Sequence, residues 1–487
     1  MDTTLTFVDF AALSPLLILL TGALIVLLFE SFSEVLSKKC SFYITLATLI
    51  AALHAAFYAP VSVNPLLTPW MRFDALAHVF SVFFLAIGLA STLLAAAFFK
   101  RFEEAFELTA GEYYFLLLSA LFGLILIGSA ADFLTIFLGL ETLSLALYVL
   151  CGYVKKWKIS HESAIKYFLM GAVAAAFLLY GFALIYGALG TTRLDLLLEG
   201  YQSLTYGSSR ALFFGGIALV TLGLAFKAAI VPFHTWAPDV YDGAPTPVTA
   251  FMAVGTKAGA FAAFVIIFLV SLPEFDLFWN EAMAFLAILT LIYANYVAMR
   301  QVQLRRFFAY SGISHAGFLL IPLAVGTAEA IPALLFYLVV YAFATFGCFA
   351  VLAFLDNRAE GVLLSDLRGL FRRSPLYAGV LSFCLLTLAG IPPSVGFFAK
   401  FYLFKLAFQA EYYTLVVVAL LTTILAAYYY LRIMAIMFSE APEEEVEVML
   451  TPTWPAAVVG LFSCAAIVVL SVYPTPLVEM LAEMVGI

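Results

Sequence analysis

The chain has 487 residues; 65% are hydrophobic, only 11% are charged, and the mean hydropathy is +1.08. A soluble domain carries roughly 25% charged residues, and one of this size must show much of its surface to water, so a soluble enzyme, a disordered chain and a collagen-like chain are excluded and the bilayer is the solvent. The formal net charge of -8 leaves no basic footprint for nucleic acid.

A helix needs roughly 20 mostly apolar residues to cross the hydrocarbon core. Fourteen runs qualify, so the expected fold is an all-α polytopic membrane protein. Spans 1 to 3 (10–30, 41–59, 75–99) form an N-terminal segment, 1–112. No basic residue precedes span 1, unlike a cleaved signal peptide, so it is expected to be retained. Spans 4 to 8 (113–130, 132–153, 163–188, 211–235, 248–271) form a unit over 113–271. Spans 9 to 13 (282–299, 307–325, 329–355, 376–409, 412–438) form a second unit over 272–438. The remainder, 439–487, is a loop and span 14 (455–474); the loop's acidic run Glu443-Glu444-Glu445 reads as solvated.

Charge tests the count. With the N-terminus outside and strict alternation, 15 of the 23 Lys and Arg fall in inside connections, Arg305 and Arg306 among them. Only Arg72, Arg193 and Arg210 fall outside, and five lysines lie within spans. Inside connections are enriched in Lys and Arg, so the pattern places both termini outside.

Two spans should break. Span 12 would be ~50 Å long as one helix, against a core of ~30 Å, and its middle reads Gly390-Ile391-Pro392-Pro393. Span 7 holds Pro232, five residues beyond Lys227. Proline removes a backbone donor and clashes with the preceding turn. A simple kink is one reading; the other is a discontinuous helix at an ion pathway. The breaks sit five spans apart, in matching positions of spans 4–8 and 9–13. An odd number of crossings per unit inverts the second unit, which gives two inverted five-helix repeats.

Charges within a span are expensive and usually functional. Glu141 is the deep acid; Asp132 lies at the outer edge of span 5, within reach of water. Lys227, Lys257 and Lys400 are the deep bases, and Lys166 lies nearer the inner end of span 6. Burial disfavours a charged ammonium and a nearby carboxylate favours it, so a Lys–Glu pair is a proton switch. His315, mid-span 10, suits a shuttle, and His234 follows the span-7 break. Each position has a bland alternative, a static pair, a snorkelling ammonium or a packed histidine. Cys40, Cys151, Cys348, Cys384 and Cys464 show no metal or cluster spacing, and no Walker A or G-x-G-x-x-G occurs. No metal and no redox centre are expected in this chain.

The stretches Phe226-Lys227 to Pro238-Asp239 and Val240-Tyr241-Asp242-Gly243-Ala244-Pro245-Thr246-Pro247 resemble the antiporter-like, proton-translocating membrane subunits of complex I. So do Tyr310-Ser311-Gly312-Ile313-Ser314-His315 and Gly390-Ile391-Pro392-Pro393 followed by Gly396-Phe397-Phe398-Ala399-Lys400. The 240–247 stretch and Ala164-Ile165-Lys166-Tyr167-Phe168 are most similar to the N branch of bacterial NADH:quinone oxidoreductase. The resemblance implies a translocase subunit in the bacterial inner membrane, with a proton path along Glu141, Lys166, Lys227, Lys257 and Lys400. It implies partner subunits, membrane and peripheral, that carry FMN, iron–sulfur clusters and the quinone site. Glu141 would tune Lys227, Lys257 would be the central relay and Lys400 the exit. A subunit of a multisubunit Na+/H+ antiporter or of a membrane-bound hydrogenase complex shares these features and stays open, as does a non-pumping scaffold.

Overall fold

The computed structural model describes residues 4–32, 34–106, 108–204, 207–273, 277–356, 361–440 and 453–485. The acidic run at 443–445 lies outside them. Among the described residues the structure is helical, apart from three isolated backbone bridges. The crossings are α1 (Ser14–Phe32), α2 (Glu34–Tyr58), α3 (Ala75–Phe106), α4 (Ala110–Gly128), α5 (Phe133–Cys151) and α6 (Lys158–Leu189). Next come α7a (Ser208–Ala228) with α7b (Trp236–Gly243), and α8 (Thr246–Ser271). The rest are α9 (Leu277–Ala298), α10 (Leu304–Val325), α11 (Ala330–Leu355), α12a (Pro375–Ala389) with α12b (Val395–Gln409), α13 (Tyr413–Phe438) and α14 (Trp454–Val472). Thirteen are each long and apolar enough to cross a bilayer; the split pair α12a–α12b is the fourteenth.

Both breaks fall where the prolines place them. Ala229 ends α7a with φ 57°, and Gly390 ends α12a with φ 75°. Glycine adopts that left-handed conformation without a Cβ clash, and it is the common way to stop a helix. The Val231–Pro232 and Pro392–Pro393 bonds are cis. The helix α4 starts at Ala110.

The centre of the molecule is α8, α10 and α11. Of their apolar windows 94%, 89% and 83% is buried, against 33% for α1, α2, α6 and α14, which present most of their surface outward. The sequence reading treated α8 as one ordinary helix. It is α-helical over Thr246–Phe251 and Lys257–Phe264, with π-helical stretches at Met252–Thr256 and Val265–Ser271. Such turns loosen the backbone ladder and occur often at functional sites.

Two charges lie elsewhere than expected. Asp132 does not reach water: it is buried as the N-cap of α5, accepting from the Leu134 N–H at 2.7 Å and the Thr192 hydroxyl at 2.6 Å. A carboxylate satisfied by the free amides of a helix start gains more there than in the open. Arg305 is not in a solvated connection: α10 begins at Leu304 and its guanidinium is buried. It donates to both Asp356 carboxylate oxygens at 3.1 Å, to the Asp242 carbonyl at 2.8 Å and to the Ala244 carbonyl at 3.2 Å. Asp356 also accepts from the Thr246 hydroxyl, and Arg101 of α3 donates to the carbonyls of Ala353, Phe354 and Asp356. One knot therefore ties the α7b–α8 linker, the start of α10, the end of α11 and the end of α3. At the N-terminus, hydrogen bonds from Ser62, Thr6 and Asn64 hold the Asp9 carboxyl well below the usual carboxylate range.

Candidate functional site: a buried polar axis

Lys227 occupies the last turn of α7a, because the chain breaks two residues later. Cations are favoured at a helix C-terminus. Its ammonium is buried, donates to the Ser144 hydroxyl at 2.5 Å, and lies 5.6 Å and 6.0 Å from the ring centres of Tyr148 and Tyr167. Glu141 stands one turn before Ser144 on α5. It forms no ion pair with Lys227; its Oε1 is buried without a hydrogen-bond partner. A buried carboxylate oxygen left bare is costly, and Ser144, which holds Lys227 and donates to the Leu140 carbonyl, lies three residues from Glu141 on the same helix.

Lys257 opens the α-helical segment between the two π stretches. It is 1% exposed, and its ammonium donates to the Tyr241 hydroxyl at 3.0 Å. The approach to α10 depends on Gly312: a Cβ there would sit 3.0 Å from Lys257 Nζ and 3.0 Å from Tyr341 Oη. Tyr341 itself donates to the Ala253 carbonyl at 3.1 Å, within the first π stretch. Gly312→Ala gives a clean test. Alanine is a better helix former by roughly 0.5–1 kcal/mol, so the melting temperature is expected to hold or rise. The methyl is expected to push the Lys257 ammonium from its seat, which a structure of the variant would show as a shift of Nζ away from α10.

His315 lies one turn beyond Ser311 and Gly312 on α10 and is buried. Its Nδ1 is 2.7 Å from Tyr337 Oη and its Nε2 is 3.4 Å from Tyr430 Oη; Tyr430 Oη in turn is 2.5 Å from Ser311 Oγ. Beyond the ring, a small cavity is lined by His315, Tyr337, Tyr341, Thr387 and Lys400, with room for about one water. Lys400 closes it. Its ammonium donates to the carbonyls of Leu388 at 3.1 Å and Ala389 at 2.9 Å. Those carbonyls end α12a and lost their helical donors at the Pro392–Pro393 break, so the break creates the lysine's seat.

Lys166 does not join this axis. It is half-exposed and pairs with Glu162 at 2.6 Å and Asp239 at 2.7 Å; Asp239 also meets Arg306 at 3.0 Å. This ion-pair cluster joins α6, α7b and α10. His234 also stands apart, in the turn between α7a and α7b, with Nδ1 unpartnered and its ring 4.8 Å from that of Tyr293. Pro232, Pro392 and Pro393 lie in the two turns.

The sequence reading missed Ser144, Tyr241, Ser311, Tyr337, Tyr341 and Tyr430. It also missed Asn295, buried on α9, which donates to Ser314 at 2.8 Å and accepts from Tyr429 at 2.9 Å. A signal existed: Ser144 is three residues from Glu141, and Ser311 four from His315, so each pair shares a helix face. Among the described residues no group of three His, Cys, Asp or Glu side chains is placed to hold a metal.

Residues 130–426 match the family described as NADH:quinone oxidoreductase/Mrp antiporter, TM. The NADH-quinone oxidoreductase subunit N of Protochlamydia amoebophila (strain UWE25) is 61% identical over 486 residues, covering 99% of this chain and 100% of that one. The chain belongs to this family. The subunit N of Chloroflexus aggregans (strain MD-66 / DSM 9485) is 37% identical, covering 97% of this chain and 96% of its own. Among solved structures, a chain of respiratory complex I from Thermus thermophilus superposes with a TM-score of 0.79 at 33% identity, covering 96% of this chain and 98% of that one. A chain of the Mrp complex from Dietzia sp. DQ12-45-1b has a TM-score of 0.81 at 21% identity, covering 99% and 97%; that likeness concerns the fold alone. The all-α fold with broken helices 7 and 12 is thus the family's fold.

Proposed function

We propose that this chain is the N-type membrane subunit of a bacterial NADH:quinone oxidoreductase and that it carries protons across the plasma membrane while partner subunits perform the redox chemistry. One observation carries the proton-carrying role: Lys257 is buried on the Tyr241 hydroxyl, His315 is buried between the Tyr337 and Tyr430 hydroxyls, and Lys400, across a water-sized cavity from His315, rests on the freed carbonyls of a broken helix. A scaffold gains nothing from buried cations so placed.

Each residue has a task. Lys166, in its half-exposed ion-pair cluster, meets protons from the inner side. Lys227 rests on a neutral hydroxyl, Ser144, with the Glu141 carboxylate one turn away. Approach of that carboxylate holds the ammonium's proton, and withdrawal releases it toward Lys257. Lys400 delivers to the outside. His234 marks the inner mouth beside the Pro232 break. Charge asymmetry puts both termini outside. Moving each charge against 100 mV takes ~2.3 kcal/mol, which the redox partners supply; FMN, iron–sulfur clusters and the quinone site belong to them.

A Na+/H+ antiporter subunit is the second reading, favoured only by the shared fold of the Mrp chain. The 61% identity along the whole length supports the respiratory one. Purifying the native complex decides between them: flavin and iron–sulfur proteins should co-purify. The proton role is tested by Lys227→Ala and Glu141→Ala. Both are expected to assemble and to lose most proton pumping and coupled quinone reduction. Normal pumping in well-assembled variants would reject the assignment.

A further inference from the structure

The lysines explain where charge rests along the axis; they do not explain how it passes the imidazole between them. Both ring nitrogens of His315 face a phenol, Tyr337 at Nδ1 and Tyr430 at Nε2. A neutral imidazole has one N–H donor and one lone-pair acceptor, whereas a phenol hydroxyl serves as either. A carboxylate at one nitrogen would pin the proton on that side; two phenols pin neither. Tyr430 has a further partner, the Ser311 hydroxyl. When Tyr430 donates to Nε2, it accepts from Ser311. When Nε2 carries the proton, Tyr430 accepts from it and donates to Ser311. The chain Ser311–Tyr430–His315–Tyr337 therefore reverses its hydrogen bonds as a unit when one proton enters at Ser311 and another leaves at Tyr337, with every group neutral before and after.

The surroundings favour that neutral state. The titratable groups facing the ring are Tyr337 and Tyr341 on α11, Tyr430 on α13, Lys400 on α12b across the cavity and Lys257 on α8 at Gly312. None is a carboxylate. An imidazolium would add a second positive charge in a dry site next to whichever of Lys257 and Lys400 carries the proton, where like charges repel strongly.

We propose that Tyr337 and Tyr430 are positioning residues that keep His315 neutral and free to exchange tautomers, so that a proton travelling from Lys257 to Lys400 enters the ring at one nitrogen while another leaves from the opposite one. The balance closes. An N–H of the Lys257 ammonium breaks, its proton crosses at the Gly312 face of α10 to the hydrogen-bonded Ser311–Tyr430 pair, and Tyr430 passes a proton to Nε2. The Nδ1–H breaks, and that proton crosses past Tyr337 and the cavity to form an N–H on Lys400. One positive charge has moved, and His315 is left neutral in its other tautomer. This inference rests on the proton-carrying reading above.

The test uses the complete complex in inverted membrane vesicles, with Tyr337→Phe, Tyr430→Phe, the double variant, and Lys400→Ala as a control on the underlying reading. Phenylalanine keeps the ring packing and removes only the hydroxyl. Each single variant is expected to assemble, to lose pumping and coupled turnover by about 10-fold, and to change the pH profile of turnover. Replacing Tyr430 by 3-fluorotyrosine, which makes the phenol more acidic with little change in size, is expected to shift that profile with assembly intact. If the double variant pumps normally with an unchanged profile while Lys400→Ala does not pump, the tyrosine inference is overturned and the lysine axis stands. If Lys400→Ala also pumps normally, the proton-carrying assignment itself falls. Should the phenylalanine variants fail to assemble, the fluorotyrosine protein decides, and an unshifted profile overturns the inference.

Discussion

Lys257→Ala is expected to reduce proton pumping by on the order of 100-fold while leaving the complex assembled. The size follows from what is lost. Lys257 is the titratable group between the Tyr241 hydroxyl and the Gly312 face of α10, and it is 1% exposed. Without it, a charge must cross that gap with no base to receive it. Holding a charge at the bilayer centre costs ~2.5–3.5 kcal/mol, and each ~1.4 kcal/mol is tenfold in rate. Assembly should survive. Breaking a buried ion pair would leave a bare charge, but Lys257 forms none, and alanine suits a helix interior. Pumping in vesicles, measured against the complex content of the same membranes, checks this. Pumping within twofold of the parent would remove Lys257 from the path.

Asp356→Ala is expected to be the most destabilising of the simple substitutions, by ~3–5 kcal/mol, with little complex left to assay. Removing one partner of a buried ion pair strands the other, and Arg305 would retain only the carbonyls of Asp242 and Ala244. The loss reaches far because the knot ties the α7b–α8 linker to α10, α11 and, through Arg101, α3. Two comparisons separate this from a generic effect. Replacing both partners, Arg305→Met with Asp356→Leu, should recover much of the stability, since an apolar pair of similar volume often matches a buried ion pair. Removing Arg306, whose pair with Asp239 is half-exposed, should cost only ~0–1 kcal/mol. The content of assembled complex on native gels and its melting temperature measure all three. A single Asp356→Ala protein as stable as the parent would show that the knot does not hold the helices together.

Much of the site was legible because the signals were local. A charge in an apolar run stands out whatever the fold, which is why Lys227, Lys257, Lys400 and His315 were found and now prove to be buried. Prolines end helices by their own chemistry, so both breaks were placed correctly at 232 and 392–393. What was not legible depended on neighbours distant in sequence. Asp132 sits at a span edge, and only the fold shows that the α5 amides and Thr192 enclose it. Arg305 has the sequence context of a loop cation, and its partner lies 51 residues away. Lys166 lies within a span on a hydropathy count, yet α6 turns it toward Glu162 and Asp239 at the edge of the protein. The tyrosines were invisible for a different reason. Twenty-five occur in the chain, and nothing local separates those that touch the axis from those that face lipid.

From the sequence alone follow the bilayer as solvent, the number of crossings, the uneven distribution of the basic residues among the connections and the two places where a helix must stop. Each is set by composition or by a residue's own backbone chemistry. The tertiary structure alone decided which face of each helix turns inward. These helices are apolar nearly all round, so hydropathy carries no stripe to orient them, and rotation about the helix axis is settled only by packing. That rotation brings Gly312 to Lys257, two phenols to His315 and the broken end of α12a to Lys400.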